Sequence, residues 1–457
     1  MTGYTLFIYR RDLRIVDNNG LSLAMQNFEN IIPVFIFTPE QVGDKNKFKS
    51  DNAIQFMCES LKEVDSELKK HGSKLHIFKG ENTTILKTVF NTINVENVVY
   101  NMDYTPYALK RDKSIRQLCK KNNVQCVEVE DYLINKIGTI MKSNGEPYTV
   151  FTPFKNKGLT IDVSRPSKIR VRNLVKVNKL NTSGLIDYKI NKNILVKGGR
   201  SEGVKMLKKV NQHKNYGKVR NLLSVSSTEL SAYIKFGCIS IREVYWTIHK
   251  LNGINSTLMS QLFWREFYYY ITFYFPYVLK GKNYNSKYDG IDWVKSKGHF
   301  KKWCEGKTGY PVVDAGMRQL NETGYMHNRA RLITANFLNR MLGYHWTLGE
   351  KYFATKLTDY DPAVNNGNWQ WIASTGTDPK PYFQRLFNPI IQSEKFDPDA
   401  KYIKKWLPEL KNIPAKDLHN WESKYINHDL RKLSYVAPIV NYKEAREKSV
   451  EMYRTVL

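Results

Sequence analysis

Over the first ~130 residues, short apolar runs alternate with longer stretches of mixed polarity. Leu6–Tyr9, Ile31–Phe37, Leu75–Phe78, Val98–Tyr100 and Val124–Val129 are dense in β-branched and aromatic side chains, which suit a buried, pleated strand. The gaps between them have helix length. This spacing predicts βαβ units and a doubly wound parallel sheet of five strands. No G-x-G-x-x-G follows the first run, so the dinucleotide fingerprint of such folds is absent. Arg10, Arg11 and Arg14 follow it instead, and Arg10–Asp17 reads as a charged structural junction.

From Gly198-Gly199-Arg200 onward the period changes. Segments 201–213, 228–236, 240–251, 257–275, 312–322 and 327–342 place apolar residues at i, i+3 and i+4, the stripe of an amphipathic helix. Residues 136–196 have weak periodicity and many Lys, Asn, Pro and Thr. The expected organisation is an α/β domain at 1–135, a connection with little structure of its own at 136–196, and an all-α domain at 197–457.

Composition adds a partner class. The chain of 457 residues carries 71 Lys and Arg against 43 Asp and Glu, a net charge of +28. Such a surface favours a polyanion, nucleic acid first and an anionic membrane second. Lys, Asn, Ile and Tyr are abundant together, a bias that accounts for part of the charge. The five cysteines are scattered with no C-x-x-C pair, which argues against a zinc site or a disulfide framework and for a reducing compartment. The N-terminal apolar run is too short for a signal peptide, and no uncharged apolar run of about 18 residues exists to span a membrane. An intracellular location, cytoplasm or nucleus, is expected.

Four local patterns carry chemistry. Asn365-Asn366-Gly367-Asn368-Trp369-Gln370-Trp371 sets amides beside indoles, after Asp359 and Asp361 and before Ser374-Thr375-Gly376-Thr377-Asp378-Pro379-Lys380-Pro381. Polar groups that orient a heterocycle thus stand next to rings that stack on one or pass an electron. Ser226-Ser227-Thr228-Glu229 has capping-box spacing ahead of Leu230–Phe236, and the unpaired N–H groups of a helix start suit a phosphate. On a helix from Tyr325, Asn328, Arg331 and Leu332 share one face, and Arg331 is placed to pair with Asp359. Gly306-Lys307-Thr308 imitates the end of a Walker A loop, but position 301 is Lys where that motif needs Gly.

Together with Tyr9–Arg14, Phe263–Tyr268, Pro311–Asn321 and Gly324–Arg331, these motifs resemble the photolyase/cryptochrome family of flavoproteins, most closely the class I cyclobutane-pyrimidine-dimer photolyases, from about residue 4 to about residue 420. The resemblance implies a light-driven lyase that repairs UV-damaged DNA as a monomer with no obligate protein partner. It implies non-covalent FAD, reduced and anionic at work, held by Tyr216, Ser227, Thr228, Glu229, Leu230, Ser231, Arg265, Asn328, Arg331, Asp359, Tyr360 and Asp361. Asn365 matches the residue beside flavin N5, where an amide, unlike a carboxylic acid, is a poor proton source. Trp303, Trp346 and Trp369 match the family's electron chain. Gln261, Trp264, Arg265, Asn328, Leu332 and Trp371 match the lesion pocket, and Arg220, Arg329 and Arg385 the basic residues near the damaged strand.

Three departures stand out. Gln261 replaces the usual class I Glu, Leu332 replaces a frequent Met, and Tyr382–Pro389 is one residue longer than the usual form. Gln at 261 also looks like six-four photolyases and animal cryptochromes. The six-four enzymes use two His where this chain has Asn328 and Leu332, and His327 is one residue off. Six-four repair and a cryptochrome-type photosensor are the alternatives. Asn101–Tyr107 lies where the family often touches a second, antenna chromophore. It lacks the Asn-Glu pair of folate binders, and folate, deazaflavin, FMN or none stay open.

Overall fold

The computed structural model describes residues 3–168, 170–377 and 382–457. Asp378, Pro379, Lys380 and Pro381 of the motif after Trp371 lie outside the described residues. All five expected strands form: β1 (Tyr4–Tyr9), β2 (Ile31–Phe37), β3 (His76–Lys79), β4 (Val95–Asn101) and β5 (Gln125–Val129). They make one parallel sheet in the order β3-β2-β1-β4-β5, with Ile8 of β1 paired to Val34 on one side and Tyr100 on the other. β2 is buried along its whole length, as a strand covered on both faces must be. That is why it reads as a continuous apolar run.

The junction after β1 is a lattice of buried ion pairs. Arg14 and Arg242 converge on Asp131, and Arg242 also meets Asp17. Arg11 bridges Asp103 of the sheet half and Asp361 of the helical half. These charges are taken out of water only because each is paired, and the pairs bind the two halves together. One apolar core likewise runs from Phe7 and Phe35 through Phe56 to Phe263 and Tyr269.

Between β5 and the helix Arg200–Lys208 the connection holds one described helix, Phe151–Gly158, hereafter the linker helix. It is fixed where it meets the helix Thr257–Tyr274. Phe154 packs edge-on against Phe267 and Tyr270, and a Cβ at Gly158 would lie 2.6 Å from the Phe263 ring. Glu266 accepts the N–H groups of Ile134 and Asn135, tying the start of the connection to the same helix. The rest is helical. Gly306 ends the helix Gly298–Glu305 in the left-handed region, and Thr308 donates to Asp314, so the Walker-like tripeptide is a helix stop and a turn. Among the described residues no helix is long and apolar enough to cross a membrane.

Candidate functional site

Two helices carry most of the residues that the motifs single out. Thr257–Tyr274 starts at Ser256, whose Oγ accepts the Met259 N–H, and bears Gln261, Trp264 and Arg265. Pro362–Ala373 starts at Asp361, which accepts the N–H groups of Ala363 and Val364, and bears Asn365, Trp369 and Trp371. The side chain at Asp361 also accepts from Arg11, Tyr132 and Tyr269. The two helices touch where Gly367 lies against the Tyr268 ring, a gap that a Cβ would overfill.

Asn365 donates its Nδ2 to the Glu350 carbonyl at 3.0 Å, and Asn366 donates to the Glu350 carboxylate at 2.9 Å. The Asn365 amide is thereby oriented, and its Oδ1 has no hydrogen-bond partner among the described residues. Arg331 reaches Asp359 through Nη2 at 3.0 Å and 3.2 Å, and the Met326 carbonyl through Nε. Arg265 is anchored by Glu266 and the Tyr132 carbonyl and lies 4.1 Å over the Tyr132 ring. Asn328 is exposed at the first turn of Asn328–Asn336, which begins at a His327 cap and not at Tyr325. Arg331 and Leu332 still follow at i+3 and i+4.

The expected capping box at Ser226 does not form. Glu229 takes a left-handed φ of 53°, and the helix Ser231–Lys235 starts after Leu230 with no side-chain cap. Ser226 thus stands four residues before Leu230, the N-cap position of that helix. The capping box lies at Ser240 and Glu243. Ser227 meets the Tyr325 hydroxyl at 2.8 Å, so Ser227, Thr228 and Glu229 form a loop of hydroxyls and backbone N–H groups, with Leu230 buried, Ser231 exposed and Tyr216 half-buried.

Gln261 donates Nε2 to its own helix at the Thr257 carbonyl, 3.1 Å away, and its Oε1 has no hydrogen-bond partner among the described residues. Trp264 and Trp371 are half-buried, as is Leu332. Arg329 is held by the Asn221 and Gln392 side-chain oxygens and lies 4.2 Å over Phe396. Burial and the nearby Arg220 charge pull its pKa down to about 10. An arginine set among neutral amides and beside a second arginine is suited to meet an anion. Arg385 is different. It is 2% exposed, donates to the Trp371 carbonyl at 2.8 Å and lies 4.4 Å from the Trp371 ring. Where a phosphate contact was expected, the structure shows this guanidinium packed against the indole from inside the protein.

Two families match the chain, "DNA photolyase" over residues 5–168 and "FAD binding domain of DNA photolyase" over residues 258–455. The Escherichia coli deoxyribodipyrimidine photo-lyase is 34% identical, covering 97% of each chain. The protein belongs to the DNA photolyase family. An archaeal photolyase from Sulfolobus tokodaii, solved with two FAD molecules, is 38% identical, with a TM-score of 0.87 over 99% of this chain and 100% of that one. A class III photolyase from Agrobacterium tumefaciens is 30% identical, with a TM-score of 0.90 over 100% and 98%.

In a photolyase the residues above fit FAD. Among the described residues the Asn365 Oδ1 and the Asn328 amide are polar atoms without partners, the Arg331–Asp359 pair offers a cation and an acceptor, and the Ser227–Ser231 loop offers donors to a pyrophosphate.

The three tryptophans expected to form an electron chain are all buried. Trp303 and Trp346 are 0% exposed and Trp369 is 3% exposed, so none of the three expected residues reaches solvent. Trp303 lies in a packed cluster, 6.3 Å from Trp369 and parallel to Phe353 at 7°. The indole nearer the surface is Trp293, which is half-exposed. Its ring is 5.1 Å from His345, which stacks on Trp346 at 5.4 Å. One turn after Trp346, Gly349 lets the Trp369 ring lie against its backbone. Trp293 precedes the same helix as Trp303, and spacing alone does not tell which of them is buried.

A cavity of about 470 Å³ opens at the carboxyl edge of β1, β2 and β4, the edge at which open α/β sheets bind ligands. Asp103, Thr105 and Tyr107 of the antenna segment line it, with Arg11, Lys235 and Glu350. Tyr360, expected around the flavin, lines this cavity too and lies parallel to Phe48 at 6.3 Å. Its neighbours Asp359 and Asp361 turn to Arg331 and Arg11, which leaves Tyr360 facing the other way.

Proposed function

We propose that this photolyase repairs cyclobutane pyrimidine dimers, acting as a monomer on UV-damaged DNA. The observation that carries the reading is Gln261 beside Trp264 on one helix. One of its two amide N–H groups donates to the Thr257 carbonyl, which orients its oxygen to accept from a base N3–H at an indole face. Arg329 and Arg220 hold the phosphates of the strand, and the dimer leaves the stack as the bases of other flipping enzymes do. Trp264 and Trp371 take its faces, with Arg385 behind Trp371. Asn328 and Arg265 bridge the lesion side and the cofactor side.

When bound, reduced anionic FAD would supply the photoexcited electron for opening the cyclobutane ring and would be restored afterwards, with no net redox change. Tyr216, the Ser227–Ser231 loop, Arg331, Asp359 and Asn365 hold it. Asp361 supports this set indirectly, through the helix cap and Arg11. The Asn365 amide offers no acid at N5. For recharging an oxidised cofactor, the path with a solvent end runs from Trp293 through Trp346 to Trp369, and Trp303 packs beside it.

His327 weighs against six-four chemistry. It is the nearest histidine to Asn328, it accepts the Arg329 N–H as a cap, and burial pulls its pKa down to about 4, so at neutral pH it is the neutral imidazole and a poor general acid. The cavity at the sheet edge suits an antenna of the flavin class. Its size falls within the ordinary range for bound cofactors, and the Sulfolobus relative was solved with two FAD molecules. Flavin extracted from the purified protein should exceed one equivalent per chain. One equivalent or less, with no other chromophore, would remove the antenna from the reading. The repair function is tested by light-dependent loss of dimers from a defined oligonucleotide.

A further inference from the structure

We infer that Phe151, in the segment joining the two halves, is a positioning residue of the lesion wall. It backs one face of the Trp264 indole, so that the other face is presented to the flipped dimer. The inference rests on the dimer-repair reading above.

The Phe151 and Trp264 rings lie 3.6 Å apart between centroids, with their planes within 6°. Aromatic pairs left to themselves favour an offset or edge-on arrangement over a face-to-face one. The stack is therefore imposed by the helix that carries Phe151. That helix is clamped on both sides of the ring. Phe151 itself meets Phe267 edge-on at 6.0 Å, and Phe154, one turn on, meets Phe267 and Tyr270. Gly158 closes the far end against Phe263. On the N-terminal side, the Tyr270 hydroxyl donates to the Lys136 carbonyl and accepts the Ile140 N–H. Trp264 is additionally flanked by Tyr268 at 5.6 Å and 32°.

An indole covered on one face by a fixed ring has lost much of its freedom to tilt. Side-chain ordering that a ligand would otherwise have to impose is already in place, which favours binding.

The test uses the chemically reduced holoenzyme and one oligonucleotide, with and without a single thymine dimer. Phe151→Ala and Phe151→Leu should each lower the preference for dimer over undamaged DNA about three- to tenfold, raise KM, and leave kcat at saturation near wild type. Phe151→Tyr should restore the preference. Leucine keeps an apolar side chain without the ring, so it decides the question even if the alanine variant loses its flavin. The inference is overturned if Phe151→Leu matches wild type, if affinity for undamaged DNA falls in parallel, or if Phe151→Ala binds the dimer more tightly, which would make the ring a plug. If wild type itself shows no preference for the dimer, the dimer reading fails and this inference falls with it.

Discussion

Asp361 closes on Arg11 across the two halves of the chain, with Oδ2 3.1 Å from Nη1. Burial pushes this carboxyl up, and the Arg11 charge with the Tyr269 hydroxyl overcomes it, so the group sits below the usual carboxylate range. A depressed folded-state pKa gives stability that is present above the unfolded value near 3.9 and is lost as pH falls further. Asp361→Ala should cost about 3–5 kcal/mol in urea unfolding near pH 7, because Arg11 is left buried without this partner. The difference from wild type should shrink below pH 4. Equal stability of the two proteins at pH 7 would show that the pair does not hold the halves together.

Glu350 behaves in the opposite sense. It orients Asn366 through its carboxylate and Asn365 through its carbonyl, and burial raises its pKa to about 7. The folded protein therefore keeps a proton that the unfolded chain gives up near 4.3, and stability should fall as pH rises from there to about 7. Glu350→Gln keeps the acceptor for Asn366 and removes that slope. The variant should be more stable than wild type at pH 8, by on the order of 2 kcal/mol, and no different at pH 4. Thermal unfolding at the two pH values checks this.

The surface end of the tryptophan path separates two indoles that look alike in the sequence. Trp293→Phe and Trp369→Phe should both block photoreduction of oxidised FAD by an external donor. Trp303→Phe should slow it by much less, and all three should repair dimers once the flavin is reduced chemically. Flash photolysis that finds Trp303→Phe inactive and Trp293→Phe normal would restore the path through Trp303.

Arg329 lies among amides and beside Arg220, with no carboxylate among its hydrogen-bond partners. Arg329→Ala should weaken binding to damaged and undamaged DNA alike and flatten the dependence of log K on log salt by about one. Arg385→Ala should leave the slope unchanged and instead weaken dimer preference, because Arg385 touches Trp371 from the buried side. A slope that responds to Arg385 and not to Arg329 would exchange their roles.

The sheet was legible because buried parallel strands leave continuous β-branched runs. Ile31–Phe37 is recovered to the residue, and the other four strands differ only at their ends. The pair Arg331–Asp359 was legible because helical spacing and opposite charge point to it. What could not be read depends on contacts between distant segments. Glu229 has a left-handed φ that its residue type does not announce, and it removed the cap expected at Ser226. Burial separates Trp303 from Trp293 and Arg329 from Arg385, and nothing local to those residues encodes it. Phe151 stands in a stretch with weak periodicity, and its role is visible only once the linker helix is docked on the Trp264 helix.

The most direct test is light-dependent turnover of two oligonucleotides, one with a cyclobutane thymine dimer and one with a six-four photoproduct, by the reduced wild-type protein and by Gln261→Glu and Gln261→Ala. The dimer should be repaired in light and not in darkness, and the six-four lesion left intact. Gln261→Glu should retain or improve dimer repair, and Gln261→Ala should weaken dimer binding by about 1–3 kcal/mol through an unpaired base edge. Repair of the six-four lesion alone, dimer repair in darkness, or loss of dimer repair in Gln261→Glu would contradict the assignment.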